Sequence, residues 1–105
     1  MDVVSRVLDL LTFYKLAVLD IHLAVELTAQ NRRDEAARAI DWLVEEAEEV
    51  CLPPEDLADV KKLADRMKRA ISAGEDITAI AGEFDGTITG IVQRLIHQAH
   101  GYKFP

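Results

Sequence analysis

Cysteine occurs once in these 105 residues, proline three times and glycine five times, and aromatic residues make up 6% of the chain. A single cysteine, Cys51, excludes a disulfide framework, and its place among apolar residues marks it as a reduced, buried side chain. Scarce proline and glycine, with Leu, Ile, Val and Ala carrying the apolar content, favour helices over a turn-rich β fold. No apolar run is long enough to span a bilayer. The stretch from Val3 to Leu27 is broken by Arg6, Asp9, Lys15, Asp20, His22 and Glu26. Met1-Asp2 lacks the basic start of a secretory signal, so a cytoplasmic protein is expected, with no membrane partner.

What the chain does have is charge, at 30% of residues, beside 50% hydrophobic residues, which is the composition of a folded domain. The net charge of −7 is unevenly placed. Residues 34–59 carry a net of −9, from ten acids and one base; residues 61–69 carry +4, from five bases and one acid.

Hydrophobic periodicity divides the chain into helices over about 2–29, 34–51, 54–73, 76–84 and 88–100. The first is apolar on most of its circumference, which predicts a central helix contacted from two sides. Gln30-Asn31-Arg32-Arg33 reads as a connection, with Asp34 as the N-cap of the second helix. Pro53-Pro54 ends that helix and begins the third, and Gly74 ends the third. Gly82, Gly86 and Gly90 share the ridge opposite the apolar stripe of the last segment. They predict either a groove for close backbone approach and self-association, or a break near Gly86; the break is the favoured reading. The expected fold is all-α: one domain, a compact bundle of four to five helices around an apolar N-terminal helix.

Trp42 stands out on the second helix. Ala36, Ile40, Leu43, Val44 and Ala47 form its apolar seam, and Trp42 lies more than about 90° away from the seam's centre. It shares a ridge with Glu35, Glu46 and Glu49, with Glu45 beyond. A large aromatic among carboxylates has the composition of an interface hot spot, and the carboxylates would steer a basic partner toward it. These five residues are the expected partner-binding site; the alternative is that the final segment or the tail at 102–104 packs over Trp42, since tryptophan is usually largely buried.

Two short motifs resemble catalytic families. Glu45-Glu46 with Glu49 resembles the first motif of the MazG-type nucleotide pyrophosphohydrolases, helical proteins whose carboxylates hold Mg²⁺ against a nucleotide triphosphate. That resemblance implies a metal-dependent hydrolase, yet Glu55, Glu75 and Glu83 are followed three residues on by Ala58, Thr78 and Gly86, not by the family's Asp. Arg94, His100 and Tyr102 resemble the Arg–His motif of HEPN-type ribonucleases, which implies proton transfer by His100 and charge compensation by Arg94 at a scissile phosphate. His97 and His100 stand three apart on one helical face, but a metal site needs a third ligand. The basic cluster Lys61, Lys62, Arg66, Lys68, Arg69 lacks the interleaved aromatics of a nucleic-acid surface.

The expectation is therefore a small, acidic, non-catalytic protein-binding module with no cofactor, no metal and no direct nucleic-acid contact. Its partner would be a larger protein with a basic surface, such as a nucleic-acid-handling machine. In size and charge the chain resembles small phage inhibitors of host defence, including anti-CRISPR proteins. A homodimeric structural module is a further reading.

Overall fold

The protein is described by a computed structural model covering residues 2–100, with His100 described by its backbone only. The described residues form four helices: α1 (Val3–Ala29), α2 (Arg33–Glu49), α3 (Pro54–Ser72) and α4 (Thr78–His100). Connections of a few residues force neighbouring helices to run antiparallel. Contacts join α1 to α2, α2 to α3, α3 to α4 and α4 back to α1, closing an up-down-up-down bundle 44 Å long. Each helix occupies a corner. α1 touches two neighbours, as every helix of the ring does, and its outward face is left to solvent.

Each element starts and stops for a local reason. The Asp2 side chain caps α1, accepting the Ser5 backbone N–H at 2.7 Å. Pro54 opens α3 at a position where its missing N–H costs nothing. At α4 the Asp76 carboxylate accepts both the backbone N–H and the hydroxyl of Thr78, at 2.9 and 2.7 Å.

The first three helices end in the same way. Asn31, Cys51 and Gly74 adopt left-handed backbone conformations with φ of 61°, 56° and 73°. The residue after each donates its N–H back across the last turn: Arg32 to Leu27, Leu52 to Ala47 and Glu75 to Ala70. These are Schellman stops, which satisfy carbonyls that the helix leaves open. The first has a further consequence. It consumes the connection so quickly that α2 begins at Arg33, with Arg32 at the cap position, and Asp34 and Glu35 lie in the first turn. Asp34 is therefore not the cap. The second stop lifts Cys51 off the apolar seam, so the thiol expected in the core is exposed. Leu52 is buried in its place.

The core is a single cluster running the length of the bundle, with Leu10, Ile21, Ile40, Leu43, Val60, Met67, Ile71, Phe84 and Ile88 among its fully buried members. α4 runs unbroken through Gly82, Gly86 and Gly90, so the expected break at Gly86 does not occur. The stripe of Ile77, Phe84, Ile88, Ile91 and Leu95 carries the helix against α1 and α3, and this burial outweighs a glycine cost of about 1 kcal/mol each. The tail Tyr102–Phe104 lies outside the described residues.

Candidate interaction surface

α1 spends one arc of its circumference on α2 and α4, burying Leu10, Phe13, Ala17, Ile21, Ala24 and Leu27. The arc opposite carries further apolar side chains, interspersed with the exposed polar residues Ser5, Thr12, Lys15, His22 and Glu26. Val3, Val4, Leu8, Leu11, Leu16, Leu19 and Leu23 are all exposed, Val4 by 66% and Leu19 by 58%. Among the described residues, the one other large hydrophobic side chain with comparable exposure is Trp42, at 47%. Trp42 belongs to the same surface, because it lines a crevice with Leu23 and Leu27 of α1. Exposed aliphatic side chains recurring along one helix, with an indole beside them, are a concentration of apolar exposure rather than single scattered residues.

The charges around Trp42 differ from the sequence expectation. Arg32 and Arg38 line the same crevice, together with Glu35. Arg32 forms an ion pair with Glu35, and this hydrogen bond holds the Glu35 carboxyl below its usual range. Glu35 therefore offers a partner little unbalanced charge. Glu46 leaves the rim altogether. It turns toward α1, where its Oε2 and the Oδ2 of buried Asp20 lie out of water with no donor from elsewhere. Burial, then the hydrogen bond and charge of Asp20, push the Glu46 carboxyl up to about 8. Burial raises Asp20 as well. Two carboxyl groups so placed cannot both ionise cheaply, so a proton on Glu46 supplies the hydrogen bond to Asp20. Of the expected acidic rim, Glu45 and Glu49 remain exposed.

The geometry also locates the residues that carry the two family resemblances. Glu46 and Glu49 line one cavity between α1 and α2 with Asp9, and Glu45 does not join them, so the three do not converge. Among the described residues no three His, Cys, Asp or Glu side chains come together as metal ligands. Arg94 is held by an ion pair with Asp56, a buried acid in the first turn of α3. The side chain of His100, and Tyr102, lie outside the described residues. His97 is partly buried near the end of α4.

Two bases of the α3 cluster are tied to neighbouring helices: Arg66 to Glu83 at 2.8 Å and Lys68 to Asp41 at 2.6 Å. The ridge of Gly82, Gly86 and Gly90 faces open space, and a Cβ added at any of them would meet nothing within 4 Å. No backbone among the described residues uses that groove.

Sequence reasoning missed the outward leucines of α1 and the role of Asp20. A signal for the first was present: α1 is apolar over a wider arc than two neighbouring helices can cover. Asp20 registered only as an interruption of an apolar run.

Fold and surface together define an antiparallel four-helix bundle with one uncovered apolar corner. No known family, curated protein or solved structure matches the chain. No helix among the described residues is long and apolar enough to cross a membrane.

Proposed function

We propose that this protein is a non-catalytic binding module that acts through the outward face of α1 and the adjoining Trp42. One observation carries the reading: among the described residues every exposed large hydrophobic side chain lies on α1, apart from Trp42 beside it. Leaving such a face in water forgoes roughly 25 cal/mol for each Å² that a partner would cover. Trp42 supplies an aromatic anchor, the residue type most enriched at interface hot spots. Glu45 and Glu49 on the outer side of α2, within a net charge of −7, favour approach to a basic partner. The basic groove of a nucleic-acid-handling protein has that character, and an inhibitor or regulator of such a machine is the role these features suit.

Photo-cross-linking tests the reading. A benzophenone side chain is placed at Leu19, at Trp42 and, as a control, at Lys62 on α3, and the full chain is irradiated in its cells of origin. Adducts with another protein from positions 19 and 42, and none from position 62, are expected. Equal yield from all three positions, or no adduct at any, would reject the surface.

A further inference from the structure

Between α1 and the first turns of α4 lies an open cleft of about 560 Å³. Its apolar lining comes from Ile21 and Val25 of α1 and Ala81 of α4. Two carboxylates face the same space, exposed Glu26 from α1 and half-buried Asp85 from α4. We propose that this cleft is the docking site for a basic amphipathic segment of a partner protein. Apolar side chains of that segment cover the floor, and a lysine or arginine beside them pairs with Glu26 and Asp85. The proposal deepens the binding reading and rests on it in one respect, that a partner engages the outer side of α1.

Charge is the first argument. Four acids of the described chain are matched by cations: Glu35, Asp41, Asp56 and Glu83. Glu26 and Asp85 have no such partner among the described residues, and no lysine or arginine lines the cleft. Its one basic lining residue is His22, and Lys15 lies two turns earlier on α1. Unmatched carboxylates beside an apolar floor suit a long cationic side chain, whose stem covers the apolar surface while its head stays at the wet edge. The same carboxylates, within a net charge of −7, disfavour the phosphates of a nucleic acid or an anionic membrane.

Shape is the second argument. Gly82 lines the cleft from α4, and a Cβ added there would meet nothing within 4 Å. Bare backbone at that point lets another chain approach α4 closely. Gly86 and Gly90 lie on the same ridge but do not line the cleft, so of the three glycines Gly82 alone serves it. Exposed Leu19 also lines the cleft and joins it to the outward face of α1. A helix laid in a groove is read through such a set of apolar contacts, with charges at the margin setting its register.

Backbone amide NMR shifts of the full chain test the site. The probe is a synthetic amphipathic peptide with leucine on one helical face and arginine on its flanks; a control peptide has glutamate in place of arginine. Shifts centred on Glu26, Ala81, Gly82 and Asp85 are expected with the arginine peptide, and none with the glutamate peptide. Gly82→Leu fills the cleft from an open helix surface, so it should keep the helicity and weaken binding about tenfold or more. Glu26→Gln combined with Asp85→Asn should weaken binding about fivefold and flatten its salt dependence. Gly90→Leu, outside the cleft, should leave binding unchanged.

Absence of binding overturns the proposal. So do shifts centred on the acidic flank of α2 instead of the cleft, equal binding of the glutamate peptide, or an affinity that ignores Gly82→Leu. If benzophenone at positions 19 and 42 captures a protein in cells while the arginine peptide leaves the cleft undisturbed, the cleft fails and the contact surface stands. No adducts and no peptide binding reject both.

Discussion

Asp20 and Glu46 face each other across the contact of α1 with α2 as two acids sharing one proton. Each has an oxygen sealed from water and without a donor from elsewhere in the described chain, and burial raises both. In the unfolded chain the Glu46 carboxyl titrates near its ordinary 4.5; in the folded chain it is pushed up to about 8. Between those values the folded state binds more protons, so this pair contributes stability that declines as pH rises. Below the window the contribution is fully present, and above it the loss is complete.

The expected result is a melting temperature that falls between about pH 5 and about pH 8 more steeply in the wild type than in Glu46→Gln. The amide preserves a donor for Asp20 without a titrating proton. At the upper end Glu46→Gln should be the more stable protein by roughly 1 kcal/mol or more, because a buried charge is avoided. Thermal unfolding followed by circular dichroism across the window is the measurement, and parallel profiles would refute the shared proton.

Cys51 holds the left-handed stop of α2, a position where Gly74 and Asn31 serve in the other two turns. A side chain there is strained, and glycine removes the strain at some cost in unfolded-state entropy. Cys51→Gly should therefore stabilise the protein, by about 0.5 kcal/mol in urea denaturation. The guanidinium of Arg6 already braces this turn by donating to the carbonyl of Val50 at 2.6 Å. Loss of stability in Cys51→Gly would mean that the thiol has a structural contact worth more than the backbone strain.

Gly86 lies on the open ridge of a continuous helix, where an added methyl meets nothing within 4 Å. Gly86→Ala should raise stability by about 0.5–1 kcal/mol, from helix propensity alone. Chemical denaturation reads the change, and a destabilised variant would show that the ridge is occupied in solution.

Arg94 and Asp56 join α4 to the start of α3, with the acid buried and the arginine half exposed. Arg94→Ala leaves a buried carboxylate without its cation and should cost about 1–3 kcal/mol of unfolding free energy. A stability change near zero would show that water replaces the guanidinium without penalty.

Much of the architecture is legible in the residues themselves. Pro53-Pro54 and Gly74 mark boundaries because their backbone chemistry allows little else. The outward direction of Trp42 follows from its phase relative to Ile40, Leu43 and Ala47 on the same helix. The break expected at Gly86 does not occur because propensity is local, whereas Phe84 and Ile88 on either side are fully buried against other helices. Cys51 is misread for a related reason. Periodicity continues past the residue at which the helix stops, and the stop depends on a left-handed turn that cysteine seldom adopts.

The sequence by itself determined that the chain is helical, roughly where its helices begin and end, and which face of α2, α3 and α4 is apolar. These are properties of spacing and of single residues. Tertiary structure alone decided what lies beside each face. Glu46 and Trp42 occupy neighbouring positions on the flank of α2, yet one turns in to Asp20 and the other stays in water. A helical wheel gives an angle from the helix's own core, but not which neighbour stands on either side. Tertiary structure likewise decided that α1, apolar nearly all round, stands at a corner with its leucines uncovered. Only the closed ring of four helix contacts fixes how much of its circumference has a partner.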